Sequence, residues 1–99
     1  YDEAYQWFIK AANQNHAMAQ SNLGVMYISG QGASKDDNKA LHWFTRSAKQ
    51  GCADGQFNLG MMYAKGIGIG RNSKHASNWL RKAGLQGHVE AKVALRNLK

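Results

Sequence analysis

The chain contains no proline, one cysteine, and six acidic residues against thirteen lysines and arginines. Without proline, no helix is kinked or stopped by a missing backbone N–H. A lone Cys52 cannot close an internal disulfide, so a cystine-stapled scaffold is excluded, while reducing and oxidising compartments both remain open. No apolar run approaches the ~20 residues of a membrane helix. The first residues, YDEAYQWF, are acidic and aromatic, unlike a basic-then-apolar signal or transit segment. What is present is a 99-residue chain with 43% hydrophobic and 10% aromatic residues, enough to pack one domain.

The chain repeats. Residues 37 to 72 written beneath residues 1 to 36 give 14 identities without a gap, where ordinary residue frequencies give roughly two. Ala4, Ala40 and Ala76 fall in register, as do Trp7, Trp43 and Trp79, and Gln14, Gln50 and Gln86. Leu23 and Leu59 continue into Leu95. Asn22, Gly24, Met26, Tyr27, Gly30 and Gly32 recur as Asn58, Gly60, Met62, Tyr63, Gly66 and Gly68. This register decides the meaning of KGIGIGRN, which looks at first like a phosphate cradle. It has neither G-x-x-x-x-G-K-[ST] nor G-x-G-x-x-G spacing, no β-type run precedes it, and it stands where SGQGASKD stands one period earlier. Its glycines are read as positive-φ residues that end one helix and return the chain to the next.

Each period holds two amphipathic patterns. Ala40, Trp43, Phe44 and Ala48 recur at three- and four-residue spacing, and Leu59, Met62 and Tyr63 form a second stripe with Gly60 among them. Six helices are expected, at about 2–14, 17–29, 37–50, 53–65, 73–86 and 89–98. Asp36 or Asp37 and Asn72 or Ser73 supply N-caps. Gly24 and Gly60 sit mid-helix, where glycine costs ~1 kcal/mol relative to alanine, so close helix approach is expected to offset that loss. The three tryptophans, with Tyr27 and Tyr63, are expected to pack against small faces such as Ala12 and Ala48. No helix pair buries its own apolar face, so each leans on its neighbours, which is the logic of a solenoid.

The order A-x-x-x-L-G-x-x-Y (Ala19, Leu23, Gly24, Tyr27; with Gly55 for the alanine, Leu59, Gly60, Tyr63), then G-x-G, then D-x-x-K-A-x-x-W-F (Asp36, Lys39, Ala40, Trp43, Phe44), then A-x-Q-G (Ala48 to Gly51) resembles the Sel-one-like repeat, a relative of the tetratricopeptide repeat. The resemblance covers nearly the whole chain. It implies an all-α fold: a right-handed α-α superhelix of antiparallel helix pairs with a 36-residue period. The expected division is 1–15, the second helix of a truncated repeat; 16–51 and 52–87, full repeats; and 88–99, a C-terminal capping helix. That last helix keeps Ala91 and Leu95 but has Arg96 and Lys99 where glycine and tyrosine stand earlier, which reads as a polar cap near the native C-terminus. The N-terminal end is expected to be a cut through a longer array. One cysteine separates the chain from the branch of the family with a disulfide in each repeat.

The resemblance implies a protein-interaction scaffold or adaptor, not an enzyme, that holds a peptide or partner protein on its concave face. It is compatible with a bacterial periplasmic or secreted protein, although no signal peptide lies in this segment. A monomer or part of a longer array is expected. By analogy with the tetratricopeptide register, the inner-face positions are Met18, Ser21, Asn22, Val25 and Ser29, then Asp54, Phe57, Asn58, Met61 and Lys65. Asn22 and Asn58 could hold a ligand backbone through amide hydrogen bonds; Phe57 and Met61 either face the partner or pack on the adjoining helix.

Charge offers an alternative. Residues 1 to 64 hold five basic and five acidic residues, so the entire net charge of +7 lies beyond. The basic residues Arg71, Lys74, Arg81, Lys82, Lys92 and Arg96 could attract an acidic protein, a nucleic acid or an anionic membrane surface. Nucleic acid is the weaker reading, because no binding motif is present and the aromatics follow the repeat seam. A solvated face is the plain alternative. No metal, cofactor or catalytic site is expected. His16, Cys52 and His88 share one repeat position, but equivalent positions lie at least a helix-packing distance of ~8 to 10 Å apart, whereas zinc ligands stand ~2.0 to 2.3 Å from the metal. They are read as helix starts. His42 and His75 have no partner at useful spacing, and the acids form no separated pair for acid and base roles.

Overall fold

Two kinds of turn alternate along the chain and set its architecture. The computed structural model describes residues 2–98, with six helices: α1 (Asp2–Asn13), α2 (Ala17–Ser29), α3 (Asp37–Lys49), α4 (Ala53–Lys65), α5 (Ser73–Leu85) and α6 (Val89–Asn97). Every expected helix is present, with boundaries within one residue.

The longer turn follows α2 and α4. Gly30 (φ 74°) and Gly66 (φ 70°) take the left-handed conformation that side chains disfavour. Their N–H groups close the helices onto the Met26 and Met62 carbonyls, at 2.9 and 2.8 Å. The chain then doubles back: the Asp36 and Asn72 amides each donate to the Tyr27 and Tyr63 carbonyls at 2.9 Å. The same two residues cap the next helices, accepting from the amides of Lys39 and His75 at 3.0 Å. The glycine run therefore serves as a helix exit and return. The shorter turn follows α1, α3 and α5 through one residue of positive φ: Asn15, Gly51 or Gly87. After it, His16, Cys52 and His88 occupy the N-cap positions.

The resulting stack has two rows and measures 39 Å along its longest axis. In the row of even-numbered helices, α2 packs on α4 and α4 meets α6. The odd helices make the other row: α3 lies between α2 and α4, and α5 lies between α4 and α6. The even row, whose members touch directly, is the inner one. Both mid-helix glycines are explained by the approach of the odd row. A Cβ at Gly24 would lie 2.5 Å from the Phe44 ring, and one at Gly60 would lie 2.9 Å from Leu80 Cγ, one period later. Phe44 and Leu80 are fully buried there, each burial contributing about 1.5–3 kcal/mol.

Polar residues also join the rows. Gln20 and Gln56 are buried mid-stack; each donates through Nε2 to a last-turn carbonyl of the preceding helix, that of Ala12 (3.0 Å) or Ala48 (3.3 Å). Each accepts on Oε1 from the glutamine at the end of the following odd helix, Gln50 or Gln86, the latter at 2.9 Å. This ladder satisfies carbonyls that helix ends leave orphaned. Nothing in the sequence marks this ladder, because a glutamine in the first turn of a helix carries no sign of burial.

One expectation is corrected. Trp43 and Trp79 are half-buried against the core, with the Arg46 guanidinium 5.3 Å and the Lys82 ammonium 4.7 Å from their ring centroids. Trp7 is 63% exposed. Its helix, α1, has α2 as its one substantial neighbour, whereas α3 and α5 each pack on two helices, so there is less surface on which to bury the indole.

Candidate docking groove

The inner row has two seams, and the same repeat positions build them differently. Between α2 and α4, the Asn58 amide donates to Ser21 Oγ at 3.4 Å, a clasp joining helices whose partners are 37 residues apart. Ser21 is only 2% exposed. Its expected place on a partner-binding surface is therefore corrected: the short side chain turns into the seam, where its hydroxyl finds a partner. Asn58 is committed to the same contact, whereas Asn22 stays exposed. Met18, Val25 and Ser29 are exposed on α2; the Met18 thioether lies 3.4 Å from Cys52 Sγ.

One period on, Phe57 stands where Ser21 stands and Ala94 where Asn58 stands. No clasp is possible between them, and this seam opens into a groove of about 520 Å³. Phe57 and Met61 of α4 form one wall and Val89, Val93 and Leu98 the other, with the buried Leu80 of α5 beneath them. Val89 is 70% and Val93 46% exposed. Phe57 and Met61 also pack on the small core of Leu80, Ala83 and Ala91, so they both support the fold and face the groove. The N-terminal end of α6 is held by His88. Its Nδ1 accepts from the Ala91 amide at 3.1 Å, which leaves Nε2 to carry the proton and donate to Asp54 Oδ1 at 2.9 Å. The ring stacks on Phe57 with centroids 4.7 Å apart. Asp54, expected on the inner face, thus fixes the histidine that caps α6. Lys65 is exposed at the opposite end of the groove.

Val89, Glu90, Val93 and Leu98 were absent from the expected site. The signal in the sequence that points to them is the register of Ser21 and Phe57 continued to Val93.

The six basic residues expected to form a patch are all exposed. They are spread over the loop (Arg71), α5 (Lys74, Arg81, Lys82) and α6 (Lys92, Arg96), and so belong to both rows. Arg81 donates to Ser77 Oγ at 3.2 Å within its own helix. Lys82 covers Trp79 as Arg46 covers Trp43, so its place follows from the repeat. No cluster of three or more His, Cys, Asp or Glu suited to a metal lies among the described residues.

The Sel1 repeat pattern matches residues 1–16, 17–52 and 53–88. The chain belongs to the Sel1 repeat family. Its fold is the right-handed solenoid of that family. Similar solved structures include a Sel1 repeat protein from Oxalobacter formigenes, 37% identical with a TM-score of 0.90 over 95% of this chain and 38% of that one. A protective antigen present in uropathogenic Escherichia coli strains and displaying an SLR fold is 40% identical, with a TM-score of 0.89 over 92% of this chain and 20% of that one. Helicobacter pylori cysteine rich protein B is 28% identical, with a TM-score of 0.85 over 92% of this chain and 68% of that one. The chain thus spans well under half the length of the first two. No curated protein sequence matches it significantly. Sel1-repeat proteins are in general protein-interaction scaffolds and typically non-enzymatic. The likeness to a cysteine-rich protein holds with one cysteine here; in this chain, glycine contacts and the glutamine ladder join the helices.

Proposed function

We propose that the protein is an interaction module that docks an apolar segment of a partner protein in the groove between α4 and α6. One observation carries this reading: Val89 and Val93 stand exposed beside Phe57, Met61, Leu80 and Leu98 in an open, apolar groove, and exposed apolar surface of this kind marks interaction sites. Apolar anchors filling it would supply the binding energy, and the polar rim would supply register. The test is affinity capture with the wild-type chain and with Phe57→Ala. The reading expects partners held by the wild type to be lost from the variant while its helical circular dichroism persists. Partners retained unchanged would remove it.

A second reading is favoured by the placement of the whole net charge of +7 beyond residue 64. Here the basic end attracts an anionic partner, and Arg81→Glu with Lys82→Glu abolishes binding to anionic vesicles or nucleic acid at moderate salt. Binding that survives the double change eliminates it.

A further inference from the structure

The groove carries charge at its ends as well as apolar surface along its walls. Glu90, in the first turn of α6, lies at one end, and Lys65, in the last turn of α4, lies at the other. Neither makes an ion pair among the described residues. Glu90 is in register with Asp54, eleven residues before Lys65, so the two charges stand about 16 Å apart along the groove at 1.5 Å per residue.

Building on the docking reading above, we infer that the occupant is an amphipathic α-helix of the partner, lying antiparallel to α4 and α6, with an acidic first turn at Lys65 and a basic last turn at Glu90. Two observations converge on it. First, α4 and α6 are parallel helices that already hold one antiparallel helix, α5, against their outer side, and Leu80 of that helix forms the floor of the groove. The inner side offers the same pair of helices to a second rod. Second, the charge order fits a helix in this direction only. Acidic residues belong at a helix N-terminus and basic ones at its C-terminus, and those ends meet Lys65 and Glu90 when the partner runs antiparallel. Residues about eleven apart return to one helix face, so one stripe can present both charges with apolar anchors between them.

The test uses two synthetic helical peptides of about 16 residues with one shared apolar stripe. One has glutamates in the first turn and lysines in the last; the other has them exchanged. Binding is read by fluorescence anisotropy on the wild-type chain, on the double variant Lys65→Glu with Glu90→Lys, and on Met61→Asp. The wild type is expected to prefer the first peptide roughly tenfold at low salt, the ratio shrinking as salt is added. The charge-exchanged protein is expected to prefer the second peptide, a reversal that differences in the peptides' own helicity cannot produce. Met61→Asp is expected to lose both. Equal binding of both peptides, or a preference unchanged by the exchange, overturns the charge-ordered helix; if Met61→Asp still abolishes that binding, the docking reading stands. Failure of both peptides to bind the wild type overturns the charge-ordered helix and the docking reading together.

Discussion

The two inner seams of this solenoid use identical repeat positions and reach opposite ends. Between α2 and α4, Ser21 and Asn58 form a hydrogen bond, and Ser21 is buried. Between α4 and α6, the same positions hold Phe57 and Ala94, and the walls part to leave the groove. A repeat framework fixes where helices run; two side chains per seam then decide whether it is closed structure or available surface. The outer contacts differ in the same way. The Gly24 layer receives a rigid aromatic ring, Phe44, and the Gly60 layer a more adaptable Leu80.

The largest expected effect breaks this second contrast. Gly24→Ala drives a methyl into the Phe44 ring and is expected to lower stability by about 1–3 kcal/mol. Gly60→Ala, with its nearest clash at Leu80, is expected to cost less, since the ~1 kcal/mol gained in helix propensity offsets part of the crowding. Urea unfolding of the two variants checks the order; equal losses would remove the contrast. Next comes a transfer of the clasp itself. Phe57→Ser with Ala94→Asn gives the second seam the residues of the first and is expected to weaken binding of an amphipathic peptide tenfold or more, about 1.4 kcal/mol. Isothermal titration measures this, and undiminished affinity would show that Phe57 is not an anchor.

A third contrast separates the two halves by pH. Tyr27 is buried and shares a 2.9 Å hydrogen bond with the Tyr5 hydroxyl. Burial first, and then that bond, push its phenol up to about 12. One period later Leu41 replaces Tyr5, so Tyr63 has no such phenol beside it. Since the folded state holds the Tyr27 proton to higher pH than the unfolded chain, its contribution is complete below about pH 10. It declines as pH rises toward 12, by on the order of 1 kcal/mol per pH unit. Urea midpoints should fall across that window in the wild type and fall less steeply in Tyr27→Phe.

Much of this was legible in the sequence because it depends on register. The helix spans, the turn glycines, the Asp36 and Asn72 caps, and the need for close approach at Gly24 and Gly60 all follow from residues that recur at one offset. What was not legible depends on which neighbour a side chain meets. Gln20 and Gln56 recur like surface residues but are buried, because helix-end carbonyls in the stack need donors. Ser21 looked like part of a binding face until its pairing with Asn58 turned it inward. Trp7 matches Trp43 and Trp79 in sequence and differs from them only in what surrounds its helix. Period reveals the scaffold, and departures from it (Phe57 for Ser21, Ala94 for Asn58) locate the groove only once the helices are placed.

The four methionines provide the most direct test of the central contrast. Met61 lines the groove, Met18 stands exposed on α2, and Met26 and Met62 are buried in the core. With the methionine methyl groups labelled with carbon-13, titration with an amphipathic helical peptide should move the Met61 resonance while those of Met18, Met26 and Met62 hold their positions. A shift at Met18 with Met61 unmoved would place docking on the clasped side and contradict the account.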